Sequence, residues 1–177
     1  MSFKRTFLPA LILAAICLVS ATALAFTHEA TKERIAKVER ERYLAAATAV
    51  MPEGVLLTEL ASDTIDGFVG TDTEGHLLGY VIRTSAKGYG GNVICVVGFD
   101  TDGKLIGLSV SAPDETPGLG INVQNPTFTD QFLGAVTPPV FKEEIDGVTS
   151  ATYSSRAVVA AVEKAFAQLE MLRKGGD

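Results

Sequence analysis

Twenty consecutive residues without a charge, Phe7 to Phe26, constrain this chain more than any other feature. The run is rich in Leu, Ile, Ala and Val, and at helical rise it spans about 30 Å, the hydrocarbon thickness of a bilayer. Two readings compete. Ala23-Leu24-Ala25 resembles a signal-peptidase site, which suits a cleaved signal peptide. An uncleaved anchor is favoured, because the run exceeds the usual signal core of about 7–15 residues. A lipoprotein signal at Cys17 is disfavoured by Ile16, which stands where a small residue is needed, so Cys17 reads as an apolar helix residue. Lys4 and Arg5 precede the span, which orients the N-terminus to the cytoplasm and everything after Phe26 to the outside.

The whole chain has 177 residues, enough for one ordinary domain plus this appendage. With 47% apolar and 20% charged residues it can build a core. A net charge of −6 makes nucleic acid an improbable partner. Two cysteines, Cys17 and Cys95, and two distant histidines, His28 and His76, supply no iron–sulfur or zinc ligand set. No metal site is expected, and any redox chemistry must use an organic cofactor.

Thr31–Val50 is rich in helix-forming Lys, Glu, Arg and Ala and reads as a helix leaving the membrane, ended by Met51-Pro52-Glu53-Gly54. Its charges read as a solvated face. From Gly67 the pattern turns to strands. Gly67–Asp72 and His76–Thr84 flank Thr73-Glu74-Gly75 as a hairpin, and His76 reads as a surface residue. Asn92–Phe99 is an apolar strand with Cys95 as a buried small hydrophobe, and Lys104–Ser111 is the next strand. Phe128–Val136 suggests a short helix, and Val140–Val148 another strand. Val158, Val162, Ala165, Phe166, Leu169 and Leu172 recur at helical spacing, with Lys174-Gly175-Gly176 as the stop. The expectation is α+β: an antiparallel sheet with helices, preceded by one transmembrane helix. The divisions are anchor 1–26, helical connector 27–60 and extracytoplasmic domain 61–177.

Three signals remain, each with a bland alternative. Lys87-Gly88-Tyr89-Gly90-Gly91 is a plain loop or a backbone that approaches a ligand. Glu115-Thr116-Pro117-Gly118-Leu119-Gly120 is a surface turn or a loop whose freed amides face a flat polar ring. Asp146 to Ser155 precedes the last helix and is a capping segment or a phosphate site, since a helix start offers free N–H groups and a positive dipole end.

Together these segments resemble the FMN-binding domain of the G subunit of the Rnf membrane complex, shared with the C subunit of the sodium-pumping NADH:quinone reductase. The Glu115–Gly120 hexapeptide matches the family's loop in full, although Pro113 stands where the family often has histidine. Lys87–Gly91 is similar to its Gly-Tyr-Gly-Gly loop, and Phe128–Gly134 to its Phe-x-x-Gln-Phe-x-Gly stretch. Thr149, Ala151 and Thr152 fit its [Ser/Thr]-Gly-Ala-[Thr/Ser] segment, with Ser150 in the usual glycine position and Asp146 as the upstream aspartate. The similarity runs from roughly Tyr80 to Phe166, and the shorter Rnf protein is favoured over the longer reductase one.

The resemblance implies FMN held as a phosphoester on Thr152, made from FAD by a separate flavin transferase that reads Asp146. It implies that Thr149, Ser150, Ala151 and Ser154, beside the acceptor, belong to the cofactor site. Thr116, Gly118, Leu119 and Gly120 would pack along the ring, Glu115 would either orient the loop or approach the ring, and Tyr89 would belong to the cofactor site. It further implies an electron-transfer subunit, not an enzyme by itself, in an inner-membrane complex that moves electrons between ferredoxin and NAD while translocating Na⁺ or H⁺. Its partners would be the other membrane and peripheral subunits, the transferase and the lipid bilayer. The alternatives are a C-type subunit of the quinone reductase, a membrane-anchored module holding FMN non-covalently or lacking it, and an extracytoplasmic flavin reductase acting alone.

Overall fold

The computed structural model describes residues 3–62 and 64–174, with side chains from residue 8 onward. Helix α1 runs from Phe3 to Ala49 without interruption. The chain divides into two units, Met1–Arg42 and Tyr43–Asp177.

In the first unit the residues from Leu8 to Phe26 are all exposed, as expected of a surface made for lipid. Among the described residues, α1 is the one helix long and apolar enough to cross a membrane. Thr22 and Thr27 donate their hydroxyls to the carbonyls of Leu18 and Ala23, at 2.7 and 2.9 Å. Neither hydroxyl is therefore left unpaired in an apolar medium.

The second unit is a meander. Strands β1 (Leu56–Glu59), β2 (Gly67–Thr71), β3 (Leu77–Lys87), β4 (Asn92–Asp100) and β5 (Leu105–Ser111) pair antiparallel in chain order. The expected hairpin joins β2 to β3: Asp72 N donates to His76 O at 3.0 Å, and Gly75 N to Asp72 O at 3.2 Å. Asp72 Oδ1 accepts from the N–H groups of Glu74 and His76, both at 2.8 Å. The His76 N–H, joined by the His76 ring, holds the Asp72 carboxyl below its ordinary value. His76 is exposed on the loop, as its position at a strand start suggests.

Each face of the sheet is covered by its own apolar layer. On one, helix α3 (Thr152–Lys174) buries Val158, Val162, Ala165, Phe166 and Leu169 against Ile82, Cys95, Val97 and Phe99. Phe166 meets Phe99 edge to face at 4.9 Å. Thr84 Oγ1 donates to Ala161 O at 2.8 Å in this interior and fixes the height of α3 on β3. Burial pushes the Cys95 thiol up from 9.0 to about 12, because a thiolate there would lose its hydration. On the opposite face the last residues of α1 and the turn after it, Tyr43, Ala47, Val50 and Met51, cover Phe68, Val81 and Val96. Tyr43 meets Phe68 at 5.0 Å with the rings tilted by 50° and lies under the Arg83 guanidinium at 4.9 Å.

Three sequence expectations need correction or refinement. Strand β1 falls inside the expected helical connector, since four residues that are mostly exposed carry almost no alternation. The expected helix over Phe128–Val136 instead comprises a short helix α2, Pro126–Thr129, and a 3₁₀ turn, Asp130–Phe132. Leu133–Ala135 then lies along β5, with Gly134 N donating to Leu105 O and Leu105 N to Ala135 O, both at 2.8 Å. The expected strand over Val140–Val148 is an isolated bridge between Phe141 and Ile145 around a turn with Lys142 at φ 70°. The segment closes on itself: Lys142 N donates to Ile145 O at 2.9 Å and Glu144 N to Val140 O at 3.0 Å, so these groups are spent within the turn and not on a ladder. The stop expected at Gly175-Gly176 lies outside the described residues.

Candidate functional site

Antiparallel pairing brings the end of β3, the start of β4 and the end of β5 to one end of the sheet, through the pairs Lys87–Asn92 and Ile94–Ser111. Helix α3 crosses above and begins there. The glycine loop, the hexapeptide loop and the hydroxyl-rich segment, separate in sequence, are thereby neighbours.

Glu115 ties them together. Its side chain is 3% exposed. Oε1 accepts from the backbone N–H of Tyr89 at 2.7 Å and of Gly90 at 3.3 Å. Oε2 accepts from the Ser154 hydroxyl at 2.8 Å. Both oxygens are thus occupied by the protein, and Glu115 organises the loops from beneath. A Cβ on Gly88 would collide with Oε1, and one on Gly120 with Oε2 and with Ser154 Oγ. The glycines therefore allow backbone to close around this carboxylate.

The hexapeptide owes its shape to its residue order. Leu119 N donates to Thr116 O at 3.2 Å, with Pro117 and Gly118 between them. Gly118 has φ +75°, the requirement of the third position in a type II turn, and proline favours the second. Asn122 Nδ2 donates to Gly118 O at 2.9 Å and secures the turn from behind.

The hydroxyl-rich segment is held by Ser155. Its Oγ donates to Ala151 O and accepts from Val148 N, each at 3.0 Å, and it is fully buried. Ser150 sits between those anchors with φ 63°, a left-handed conformation unusual for a residue with a Cβ. This single reversal turns the chain into α3. Thr152, the first residue of the helix, is exposed, and its hydroxyl has no hydrogen-bond partner among the described residues.

These elements border a cleft of about 350 Å³, within the usual range of small-molecule sites. Its floor is Glu115, Gly120, Ala151 and Ser154. Thr116, Leu119, Ser150 and Thr152 form the rim, together with Tyr89 and Tyr153. The two tyrosine rings lie 6.3 Å apart and are 72% and 69% exposed, and Leu119 is 44% exposed. Of the residues expected at the site, Thr149 and Gly118 lie outside the cleft lining. Thr149 is exposed in the segment before Ser150, and Gly118 shapes the turn. Tyr153 lines the cleft although it is not among the residues expected from sequence; its adjacency to Thr152 is the only signal.

A flat, amphipathic ring with an anionic tail fits this arrangement. Exposed tyrosine faces and Leu119 offer apolar contact, the turn offers backbone polar groups, and the start of α3 favours an anion beside Thr152.

Residues 88–167 match the FMN-binding domain, and residues 1–50 match the RnfG N-terminal region. The G subunit of the ion-translocating oxidoreductase complex of Vibrio cholerae is 32% identical over 88% of this chain and 86% of its own length. The chain belongs to the G-subunit family of ion-translocating oxidoreductase complexes. The family member from Methanosarcina acetivorans is 28% identical over 85% of this chain and 87% of its own. That from Acetobacterium woodii, the G subunit of a Na⁺-translocating ferredoxin:NAD⁺ oxidoreductase, is 27% identical over 97% and 95%. In fold, the chain is similar to the C subunit of the Na⁺-translocating NADH-quinone reductase of Parabacteroides distasonis, with a TM-score of 0.50. That likeness has 18% identity and covers 66% of this chain and 75% of the other. The FMN-binding match begins at Gly88, so it takes in all three loops and the cleft of this G-family chain.

Proposed function

We propose that this G-family chain carries FMN joined through its phosphate to Thr152 and passes electrons inside a membrane oxidoreductase that couples their flow to ion translocation. The observation that carries the reading is the Thr152 hydroxyl: exposed, without a protein partner among the described residues, and at the first residue of a long helix on the rim of the cleft. The attachment is a group transfer. The Thr152 oxygen bonds to the flavin-side phosphorus of FAD, the pyrophosphate P–O bond breaks, and AMP leaves while the hydroxyl proton passes to solvent. Bound FMN supplies one- and two-electron redox chemistry.

The residues of the chain have separate tasks in this account. The first turn of α3 stabilises the phosphate charge. Leu119, Tyr89 and Tyr153 hold the ring, and the Thr116–Leu119 turn presents backbone to its polar edge. Glu115 fixes the loops from the floor of the cleft. The tether keeps the cofactor on a domain that faces away from the cytoplasm, with Lys4 and Arg5 holding the N-terminus inside. The coupled partners are ferredoxin and NAD⁺, the pair for which relatives from Acetobacterium woodii and Clostridium ljungdahlii are named, one as Na⁺-translocating and one as proton-translocating.

Peptide mass spectrometry tests the attachment. The peptide containing Thr152 should gain the mass of FMN less one water, with fragmentation assigning it to Thr152. An unmodified peptide from protein that still retains flavin after native purification would reject the covalent reading.

A further inference from the structure

Asp146 has its backbone clasped by a side chain from a distant turn. Gln131 Oε1 accepts from Asp146 N at 2.8 Å, and Gln131 Nε2 donates to Asp146 O at 3.3 Å. The amide thus pairs with a peptide unit as a neighbouring strand would, although neither residue belongs to a strand. Gln131 stands on a firm base, since Phe128 and Phe132 on either side of it are buried at 2% and 0% and pack edge to face at 5.5 Å. Gln131 Nε2 also donates to Thr127 O at 3.4 Å, which aims the amide. The Asp146 carboxylate itself stays exposed.

The segment from Asp146 to Thr152 is therefore pinned at both ends. Gln131 holds residue 146, and Ser155 holds Val148 and Ala151. Between the pins Ser150 takes its left-handed turn. A carboxylate presented at a set distance and direction from an acceptor hydroxyl is suited to recognition by an enzyme that modifies that hydroxyl. Without the Gln131 pairing the Asp146 peptide could rotate, and the recognition enzyme would have to order it.

We propose that Gln131 is a positioning residue for flavin attachment: it fixes the orientation in which Asp146 is offered to the flavin transferase. This rests on the proposed FMN–Thr152 linkage and on the implied reading of Asp146 by the transferase, so wild-type loading of Asp146→Ala would overturn it. The reaction concerned is the one written above, with FAD as co-reactant and AMP as leaving group.

The test uses the full-length chain in detergent, purified without flavin, with the transferase and FAD, following flavin fluorescence on denaturing gels. Initial rates against chain concentration give kcat and KM for wild type, Gln131→Ala, Asp146→Ala, the double variant and Thr152→Val. Gln131→Ala should lower kcat/KM about tenfold, mainly through KM, the scale expected from losing two hydrogen bonds. Its thermal midpoint should fall by a few degrees at most, because Gln131 is exposed and the lost pairing is local. The double variant should be no slower than Asp146→Ala alone, since Gln131 acts through Asp146. Should Gln131→Ala melt early, Gln131→Glu keeps the acceptor toward Asp146 N and turns an oxygen on Asp146 O; it should load slowly with a normal midpoint. Wild-type rates in the Gln131 variants, or effects that multiply in the double variant, would overturn the proposal while leaving the linkage standing. Equal loading of Thr152→Val and wild type would instead remove the linkage, and the proposal with it.

Discussion

The Ser154 hydroxyl donates to Glu115 Oε2 at 2.8 Å, across 39 residues of sequence and in an interior where both side chains are at most 3% exposed. One carboxylate therefore couples the start of α3 to the glycine loop, whose Tyr89 and Gly90 amides bond its other oxygen.

Glu115→Ala leaves those three donors without their acceptor. An unsatisfied buried donor costs about 1–3 kcal/mol; the Ser154 hydroxyl is buried while the Tyr89 and Gly90 amides are part-buried and can turn to water, so the variant should lose about 2–3 kcal/mol. Glu115→Gln keeps one accepting oxygen and should lose roughly half as much. Chemical denaturation of the two variants measures this. A Glu115→Ala chain within about 0.5 kcal/mol of wild type would mean that the carboxylate does not organise the site.

Gly118 and Ser150 both have positive φ, and they should respond in opposite ways. Nothing lies within 4 Å of a Cβ built on Gly118, so Gly118→Ala carries only the conformational cost of about 1–2 kcal/mol. Ser150→Gly removes a similar cost, offset in part by the greater freedom of glycine in the unfolded chain, and should be neutral or stabilising by up to about 1 kcal/mol. Shifts in denaturation midpoint decide it, and a clear loss of stability in Ser150→Gly would contradict the left-handed turn.

Cys95 offers a pH readout. In a Cys17→Ala background it is the one remaining thiol, and it should resist a thiol reagent at about pH 8 until the chain unfolds. Its folded value of about 12 lies above the ordinary 9.0. The raised value means that the native state holds this proton more tightly. The associated stability is complete below pH 9.0 and lost as pH rises toward 12. Unfolding free energy should therefore fall less steeply over that range in Cys17→Ala/Cys95→Ala than in Cys17→Ala. Rapid labelling of native Cys95 would show the β4 interior to be open.

What could be read from the residues depended on how local the physics was. The hairpin before β3, the apolar strand around Cys95 and the face of α3 follow from turn residues and periodicity between near neighbours in the chain. The Thr116–Leu119 turn is legible too, because proline and glycine dictate its dihedrals. Ser150 marks itself by standing in a usual glycine position, and it does take a positive φ. The residues leave Glu115 between orienting its loop and approaching the ring, since the donors that engage it lie 26, 25 and 39 residues away. The Gln131–Asp146 pairing joins two exposed polar residues by side chain to backbone, a bond that no hydropathy pattern announces. The strand expected over Val140–Val148 fails because its backbone groups pair with one another in a turn through Lys142, whose positive φ no hydropathy pattern announces.

The covalent link between FMN and Thr152 is the central claim, and in-gel flavin fluorescence of wild type and Thr152→Val tests it most directly. The substitution nearly preserves shape and removes the acceptor oxygen. Ser154 and Ser155, the nearest other aliphatic hydroxyls in α3, are buried and already hydrogen-bonded to Glu115 and Ala151. Wild type should fluoresce under ultraviolet light at the mass of this chain after denaturation. Thr152→Val should be present at equal amount and dark. Equal fluorescence from both bands, or a dark wild-type band from protein that holds flavin in its native state, would contradict the account.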